Sequence, residues 1–499
     1  MASRRDELNA YNFSRKRTVA SFLKPLPNGS VESAPKPLKH AISGIVMSVV
    51  ILAGFGACGM LSPVAPKGWD TPEAGIIVTD PSATRYVVLK SGKKDKNGKD
   101  IPVLHPVLNL ASARLLLNPK NSGDGSVKTI KEKFLDSSNI AQGSMVGIPY
   151  APDRLPSDKD AGTAKVWALC QQTSASTTDK SSVQQTVFVL NQKDARKVTE
   201  KGSGKLAGNQ ALYVRDKRGT PYLVSSRGVA YELKTSTSGD LPSLIRTLFG
   251  DGAEPSTVTD DWMNTVRKSR QAISMPTVPG DGQASQAAGV PAKYRTTGTL
   301  LRVNNGQHYL VERDRLIPVT AFQTALLKET LADSRTETVK QTDIQPDTTG
   351  KLAGGETWPT QAVSLANGGR TDTSCSVYGG GSATDLTTWA GTSLPVKSIA
   401  ASASSYVSPG SGLLYQEREG TSGTGFNYLV TDTGLRYFLP VNNDSGKDKS
   451  GSDQEEVNRN KVRLGYEKAQ KVTVPSQWSG LLPSGPDLTT EAAEQTQNS

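Results

Sequence analysis

Apolar positions fall along the chain in three patterns. The first is one continuous uncharged run between His40 and Ser62, AISGIVMSVVILAGFGACGML, from Ala41 to Leu61. Its 21 residues, at about 1.5 Å rise each, match the roughly 30 Å hydrocarbon core of a bilayer and predict one transmembrane helix. The second pattern is a short strand, a polar turn, an aromatic-aliphatic strand, another turn and a third strand. It occurs as IIVTDPSATRYVVLKSG from Ile76, ALYVRDKRGTPYLVSSRGVAYEL from Ala211, LLRVNNGQHYLVERDRLIPV from Leu300 and LLYQEREGTSGTGFNYLVTDTGLRYFLP from Leu413. Tyr86, Tyr222, Tyr309 and Tyr428 hold equivalent places, each before two aliphatic residues. β-branched and aromatic residues suit strands, and the Arg/Asp/Gly/Asn turns suit hairpins. Unequal spacing between the copies excludes a regular solenoid and implies inserted material.

The third pattern is helical. Helices are predicted after the first three copies, over Asn109–Leu117, Leu241–Phe249 and Pro318–Leu331, with Pro242 and Pro318 tolerated in first turns. Leu104–Leu117 and Val319–Leu327 read as amphipathic surface helices rather than further spans. Near the N-terminus Ser3-x-x-Asp6 makes a weak capping box, and Leu8, Tyr11, Val19 and Phe22 fall near one face of a helix otherwise rich in base. Such a helix binds either anionic lipid or, as we prefer, partner proteins, with Arg15, Lys16 and Arg17 joining it to the membrane.

Polar segments at Ser91–Asp100, Gln171–Ser182, Ser274–Thr297, Thr330–Glu356 and Asn442–Glu456 read as loops or linkers. The fold class expected is a single-pass membrane protein with an α+β, β-rich ectodomain: a central core and four small repeat modules. The division is 1–39, cytoplasmic basic arm; 40–62, transmembrane helix; 63–75, linker; 76–120, repeat 1; and 121–207, core segment with Cys170. Then come 208–252, repeat 2; 253–297, helix and linker; 298–332, repeat 3; 333–411, core segment with Cys375; 412–470, repeat 4; and 471–499, a Pro-rich C-terminal tail.

Charge sets the orientation. Arg4, Arg5, Arg15, Lys16, Arg17, Lys24, Lys36 and Lys39 precede the span, whereas Lys67 is the one base on the far flank through Thr84. The positive-inside rule therefore puts the N-terminus in the cytoplasm and the bulk of the chain outside the plasma membrane. A signal peptide competes, although its apolar region is shorter and follows a short basic stretch. A lipidated cysteine at Cys58 competes too, against the bulky Phe55. A net charge of +11 at 35% hydrophobic residues fits a polar ectodomain whose partners outside a membrane are anionic wall polymer, lipid headgroups or acidic protein, not nucleic acid.

With Cys58 in the apolar run, Cys170 and Cys375 are the ectodomain cysteines, and an even pair in an oxidising compartment reads as a disulfide; two buried free thiols are the alternative. A bridge would close a loop of roughly 200 residues, for which chain entropy assigns about 5 kcal/mol. Enzymatic chemistry finds little support. His105 and His308 have no Cys or second His at metal-ligand spacing, and no G-x-S-x-G elbow occurs. Gly202-Ser203-Gly204-Lys205 is the nearest thing to a phosphate loop, but Thr199 stands where Gly is needed and Leu206 where Ser or Thr would hold Mg²⁺. Asp260-Asp261 and Glu455-Glu456 read as solvated surface. No cofactor or metal is expected.

Taken in order, several short motifs resemble one family across nearly the whole chain. They are Tyr11-Asn12-Phe13-Ser14-Arg15-Lys16-Arg17, the apolar run, Trp69, Asn109-Leu110-Ala111-Ser112-Ala113-Arg114-Leu115, Gly147-Ile148-Pro149, Trp167 three before Cys170, and Leu482-Pro483-Ser484-Gly485-Pro486. The chain resembles EccB, the single-span membrane component of the actinobacterial type VII (ESX) secretion system. That resemblance implies four repeats about a core, one disulfide, and a structural role in a protein-export complex with the EccC-type motor ATPase and EccD-type and EccE-type membrane subunits. Self-association of the ectodomain is a further expectation. The sequence departs from the family pattern at Tyr150, where Gly is usual. A cell-wall-binding anchor remains the competing function. An ATPase, a label some family members carry, is a third that the broken phosphate loop opposes.

Overall fold

The computed structural model describes residues 3–23, 37–60, 66–118, 127–173, 183–236, 240–366, 372–396, 404–420, 425–440 and 459–497. The chain divides into two compact units, Met1–Lys67 with Ile130–Asp136, and Gly68–Thr129 with Ser137–Ser499.

In the first unit, helices run Arg4–Leu23 and Pro37–Met60. The second has 24 residues and, at about 1.5 Å rise each, is roughly 36 Å long. Its side chains are described at 41–53 and 55. Among the described residues no helix is long and apolar enough to cross a membrane. The Cys58 side chain and Leu61 lie outside the described residues, as do Lys24, Lys36 and the segment 442–456.

The second unit holds the sheets. At its centre Val166–Thr173 lies between Val183–Leu190 and Thr373–Tyr378, with Leu386–Gly391 and Ser405–Val407 at the two edges. Cys170 faces Cys375 across an antiparallel pair, and the two form a disulfide closing a separation of 205 residues. One face of this sheet presents Ala168, Cys170, Phe188, Cys375 and Val377 and is covered by Ala195 and Val198. These two belong to the helix Gln192–Thr199, which begins where the Asn191 side chain accepts a hydrogen bond from the Asp194 N–H. The other face carries Trp167, Leu169, Val187 and Tyr378. With apolar cover on both sides, Thr373–Tyr378 is buried at every position, its polar Thr373, Ser374 and Ser376 included.

Four further sheets pack about this core, each built on a three-stranded antiparallel meander. Their strands are Ile76–Asp80, Arg85–Lys94 and Asp100–Pro106; Gln210–Arg215, Pro221–Ser225 and Val229–Glu232; Leu300–Val303, His308–Val311 and Leu316–Val319; Leu413–Arg418, Asn427–Val430 and Arg436–Leu439. The equivalent tyrosine is the second residue of the middle strand each time, pairing Ile77 and Pro106, Val214 and Glu232, Leu301 and Pro318, or Tyr415 and Phe438. A helix then crosses over, and in the last three meanders a strand returns parallel to the first: Ser256–Thr257, Thr336–Val339 and Val472–Pro475.

Packing arranges these sheets about the centre. In the second meander Leu212, Val214 and Val224 pack on the central core, while Ala211, Tyr213 and Leu223 face a cluster shared with the third. The fourth does the same, with Leu413, Tyr415 and Val430 inward and Leu414, Leu429 and Leu439 sharing a cluster with Ile76 and Val87 of the first. Trp262 and Trp478, each from the short helix after a return strand, fill the central cluster.

Several expectations change here. Leu104–Leu117 is not one surface helix: Asp100–Pro106 is a strand, and the helix is Leu110–Leu115 with Ala111, Ser112, Ala113 and Leu115 buried. Pro318 lies in the strand Leu316–Val319, and the following helix, Ala321–Thr330, starts at a capping box made by Thr320 and Gln323. Phe322, Leu326 and Leu327 of that helix are buried, so it is not a surface helix in the solvated sense. Thr336–Val339 and Gln171–Thr173, expected in loops, are strand. The 471–499 tail is integral: Val474, Trp478, Leu482, Leu488 and Ala493 are all buried.

Candidate functional site

The N-terminal helix opens with the Ser3 N–H donating to Asp6 Oδ2 at 3.1 Å, and Asp6 and Glu7 place negative charge in its first turn. Leu8, Tyr11, Val19 and Phe22 are exposed, Phe22 at 91%, as are Arg15, Lys16 and Arg17. At 3.6 residues per turn the four apolar side chains fall within an arc of about 80°, and Arg15 falls inside that same arc. Phe13 projects from the opposite side. The face expected to be apolar is thus a stripe with a guanidinium set in its middle, and no part of it is buried within the chain.

The motifs that carry the family resemblance in the second unit lock the fold. Asn109 Nδ2 donates to the Ile148 carbonyl at 2.7 Å, its Oδ1 accepts from the Ser112 backbone and hydroxyl, and Ser112 Oγ accepts from the Ile148 N–H at 2.8 Å. Arg114 reaches the Leu464 carbonyl at 2.7 Å. The segment with Gly485 runs beside Arg436–Leu439, its N–H donating to the Arg436 carbonyl, and a Cβ there would run into the Tyr437 ring. Tyr150 has φ +63°, the left-handed region, and is 88% exposed; the preference for Gly at this place has a backbone cause.

Gly202-Ser203-Gly204-Lys205 forms a turn docked on the edge strand of the central sheet. The Ser203 carbonyl accepts from Trp389 Nε1, the Gly204 carbonyl accepts from the Ala390 N–H, and the Leu206 N–H donates to Thr388. Of the N–H donors that a phosphate loop would present, that of Ser203 is spent on the Glu200 carbonyl and that of Leu206 on Thr388. Asp260 and Asp261 begin a helix capped by Thr259, where Asp260 pairs with Lys217 at 3.3 Å and Asp261 accepts from Gln185. His105 meets the Ser144 carbonyl at 2.8 Å, far from His308 in the third meander, and Glu455-Glu456 lies outside the described residues.

Two concavities adjoin Thr360. One, about 460 Å³, is lined by His308, Lys351 and Glu356. Burial, with Arg302 and Lys328 nearby, pushes the His308 imidazole down. The other, about 350 Å³, is lined by Arg227, Tyr231, Arg267 and Trp358. Nothing in the sequence marks the second, because Arg227 sits in a hairpin turn and Arg267 follows a helix and crossover, brought together by the parallel pairing of Val229 with Arg267.

A family model described as Type VII secretion system ESX-1, transport TM domain B, matches residues 1–499. The ESX-1 secretion system ATPase EccB1 of Mycobacterium tuberculosis is 27% identical over 298 residues, covering 58% of this chain and 53% of that protein, so the match spans about half the relative's length. The ESX-3 secretion system ATPase EccB3 of the same organism is 24% identical over 439 residues, covering 81% and 75%. Among solved structures, a chain of the intact ESX-5 inner membrane complex superposes with TM-score 0.57 at 17% identity, covering 100% of this chain and 96% of that one. A chain of the EccB3 dimer from the ESX-3 core complex gives 0.57 at 20% identity, covering 85% and 100%. With the family model matched from the first residue to the last and the fold shared with these assemblies, the chain belongs to the EccB family of type VII secretion proteins.

Proposed function

We propose that this protein is a structural, membrane-anchored subunit of a type VII secretion complex. The observation that carries the reading is the family match across all 499 residues. Residues 40–62 cross the plasma membrane once, with the basic arm 1–39 in the cytoplasm and the ectodomain in the periplasm-like space. The uncharged run Ala41–Leu61 and the charge asymmetry about it support this topology. The ectodomain is a disulfide-bridged core with four copies of a meander followed by a crossover helix, the last three completed by a parallel return strand, and it self-associates. The shared tyrosine register supports common descent of the modules. Export work belongs to an EccC-type motor ATPase, with EccD-type and EccE-type membrane subunits as the remaining partners.

Two relatives bear ATPase in their names. The proposed role assigns nucleotide hydrolysis to the motor subunit, a reading supported by Thr199 and Leu206 at phosphate-loop positions and by the engagement of the Ser203 and Leu206 N–H groups with Glu200 and Thr388. The test is purification of tagged full-length protein in mild detergent from its own membrane, with mass spectrometry of what remains bound. Membrane subunits and motor should co-purify. Recovery of wall polymer with no membrane subunit would replace the scaffold with a wall anchor.

A further inference from the structure

We propose that the roughly 350 Å³ concavity between the second meander and residues 358–363 is a binding site for an oxyanion carried on a hydroxyl-rich body. Arg227 lies in the turn between Pro221–Ser225 and Val229–Glu232, and the Arg267 N–H donates to the Gly228 carbonyl at 2.9 Å, so both arginines leave neighbouring points of a paired backbone at one rim of the concavity. Among the described residues neither has an ion pair or a side-chain hydrogen bond. The Tyr231 phenol also lines the concavity, pushed up by burial with Arg267 and Arg227 acting against that push. Gln210 and Gln361 add amides to the lining. Trp358 spends its Nε1–H on the Ala272 carbonyl at 2.9 Å, so it offers a flat apolar wall instead of a donor.

Two guanidiniums without an ion pair among the described residues, lining one concave surface with a phenol, suit the fork geometry by which arginine takes carboxylate or phosphate. The neighbouring concavity is a built-in contrast. There Lys351 lies near Glu356, which it helps to hold below the usual carboxylate range after the larger effects of the Glu356 backbone and Gln271. Burial holds His308 down, so that site has no free pair of cations.

The probes are glycerol 3-phosphate for the phosphate source, D-glucuronate for the carboxylate source and glucose as the neutral analogue, titrated calorimetrically into full-length protein in detergent. At least one anion should bind and glucose should not. Arg227→Gln and Arg267→Gln should each weaken binding about tenfold or more, the loss of one charged hydrogen-bond partner. Lys351→Gln should leave it unchanged. Because both arginines are exposed, the variants should melt like the parent, which separates loss of binding from loss of fold. Binding of glycerol 3-phosphate alone identifies a phosphate ligand, and of glucuronate alone a carboxylate ligand. Absence of binding by both anions, equal binding of glucose, or retained affinity in the doubly substituted protein would overturn the site.

Discussion

Single residues in this molecule carry costs that the fold recovers elsewhere, and Tyr150 shows one most directly. Its φ of +63° brings Cβ toward the following carbonyl, a conformation that costs a non-glycine residue about 1–2 kcal/mol. The ring returns little, being 88% exposed, while the residue's own carbonyl accepts from Tyr437 Oη at 3.3 Å. Glycine keeps that carbonyl and removes the clash, but it also widens the unfolded ensemble by about 0.4–1 kcal/mol. The net expectation for Tyr150→Gly is stabilisation of about 0.5–1 kcal/mol, visible as a higher denaturant midpoint at unchanged slope. Tyr150→Ala keeps the strain and should not stabilise. A buried charge follows the opposite logic at Lys165, 3% exposed, whose ammonium meets Asp160 Oδ1 at 2.9 Å while Asp160 Oδ2 receives the Gly412 N–H at 2.8 Å. Those bonds fasten the fourth meander to the chain before the central sheet.

At the scale of elements, what holds the second and fourth meanders in place is the return strand and the short helix behind it. Trp478 follows the return strand Val472–Pro475, is 1% exposed, and stacks on Tyr378 of the central sheet with ring centroids 5.7 Å apart. Trp478→Ala should destabilise the ectodomain by about 3–5 kcal/mol, as loss of a large core aromatic does. Denaturant unfolding measures it, and a change below about 1 kcal/mol would return 471–499 to the status of a dispensable tail. That segment also marks where sequence reading stops. Strands from Ile76, Ala211, Leu300 and Leu413 were legible because alternation, β-branched residues and turn chemistry are local signals. The return strands were not, since Ser256–Thr257 is only two residues long and gains its partner, Val214–Arg215, from far along the chain. Pro318 misled for a related reason: proline suits a helix's first turn, but it also suits an edge strand, and Leu316–Val319 lies at the edge of its sheet. Of the candidate sites, the cysteine pair could be read by counting. The Arg227–Arg267 rim could not, because pairing in space rather than spacing in sequence creates it.

For the whole molecule, the question is what the exposed N-terminal helix is for, since a helix with Leu8, Tyr11, Val19 and Phe22 all in solvent leaves apolar surface uncovered. Lipid and protein would cover it by different forces. Anionic lipid attracts basic residues at about 1 kcal/mol each near the surface, with little regard for shape. Arg15 inside the apolar arc would then sit at headgroup level with Lys16 and Arg17 beside it. A protein groove would instead bury the apolar side chains, worth about 1.5–3 kcal/mol for each large one fully covered, and would match Arg15 with an acidic or carbonyl partner. Two variants weigh these forces against each other: Arg15, Lys16 and Arg17 each to Gln, and Leu8, Tyr11, Val19 and Phe22 each to Ala. Ala favours helix more than the residues it replaces, so the second variant keeps the element while removing its surface. In the proposed topology the apolar run retains both in the membrane fraction. Co-purification from detergent should then show partner subunits lost with the Ala variant and kept with the Gln variant. The reverse outcome would make the arm a lipid anchor and leave assembly to the membrane helix and the ectodomain.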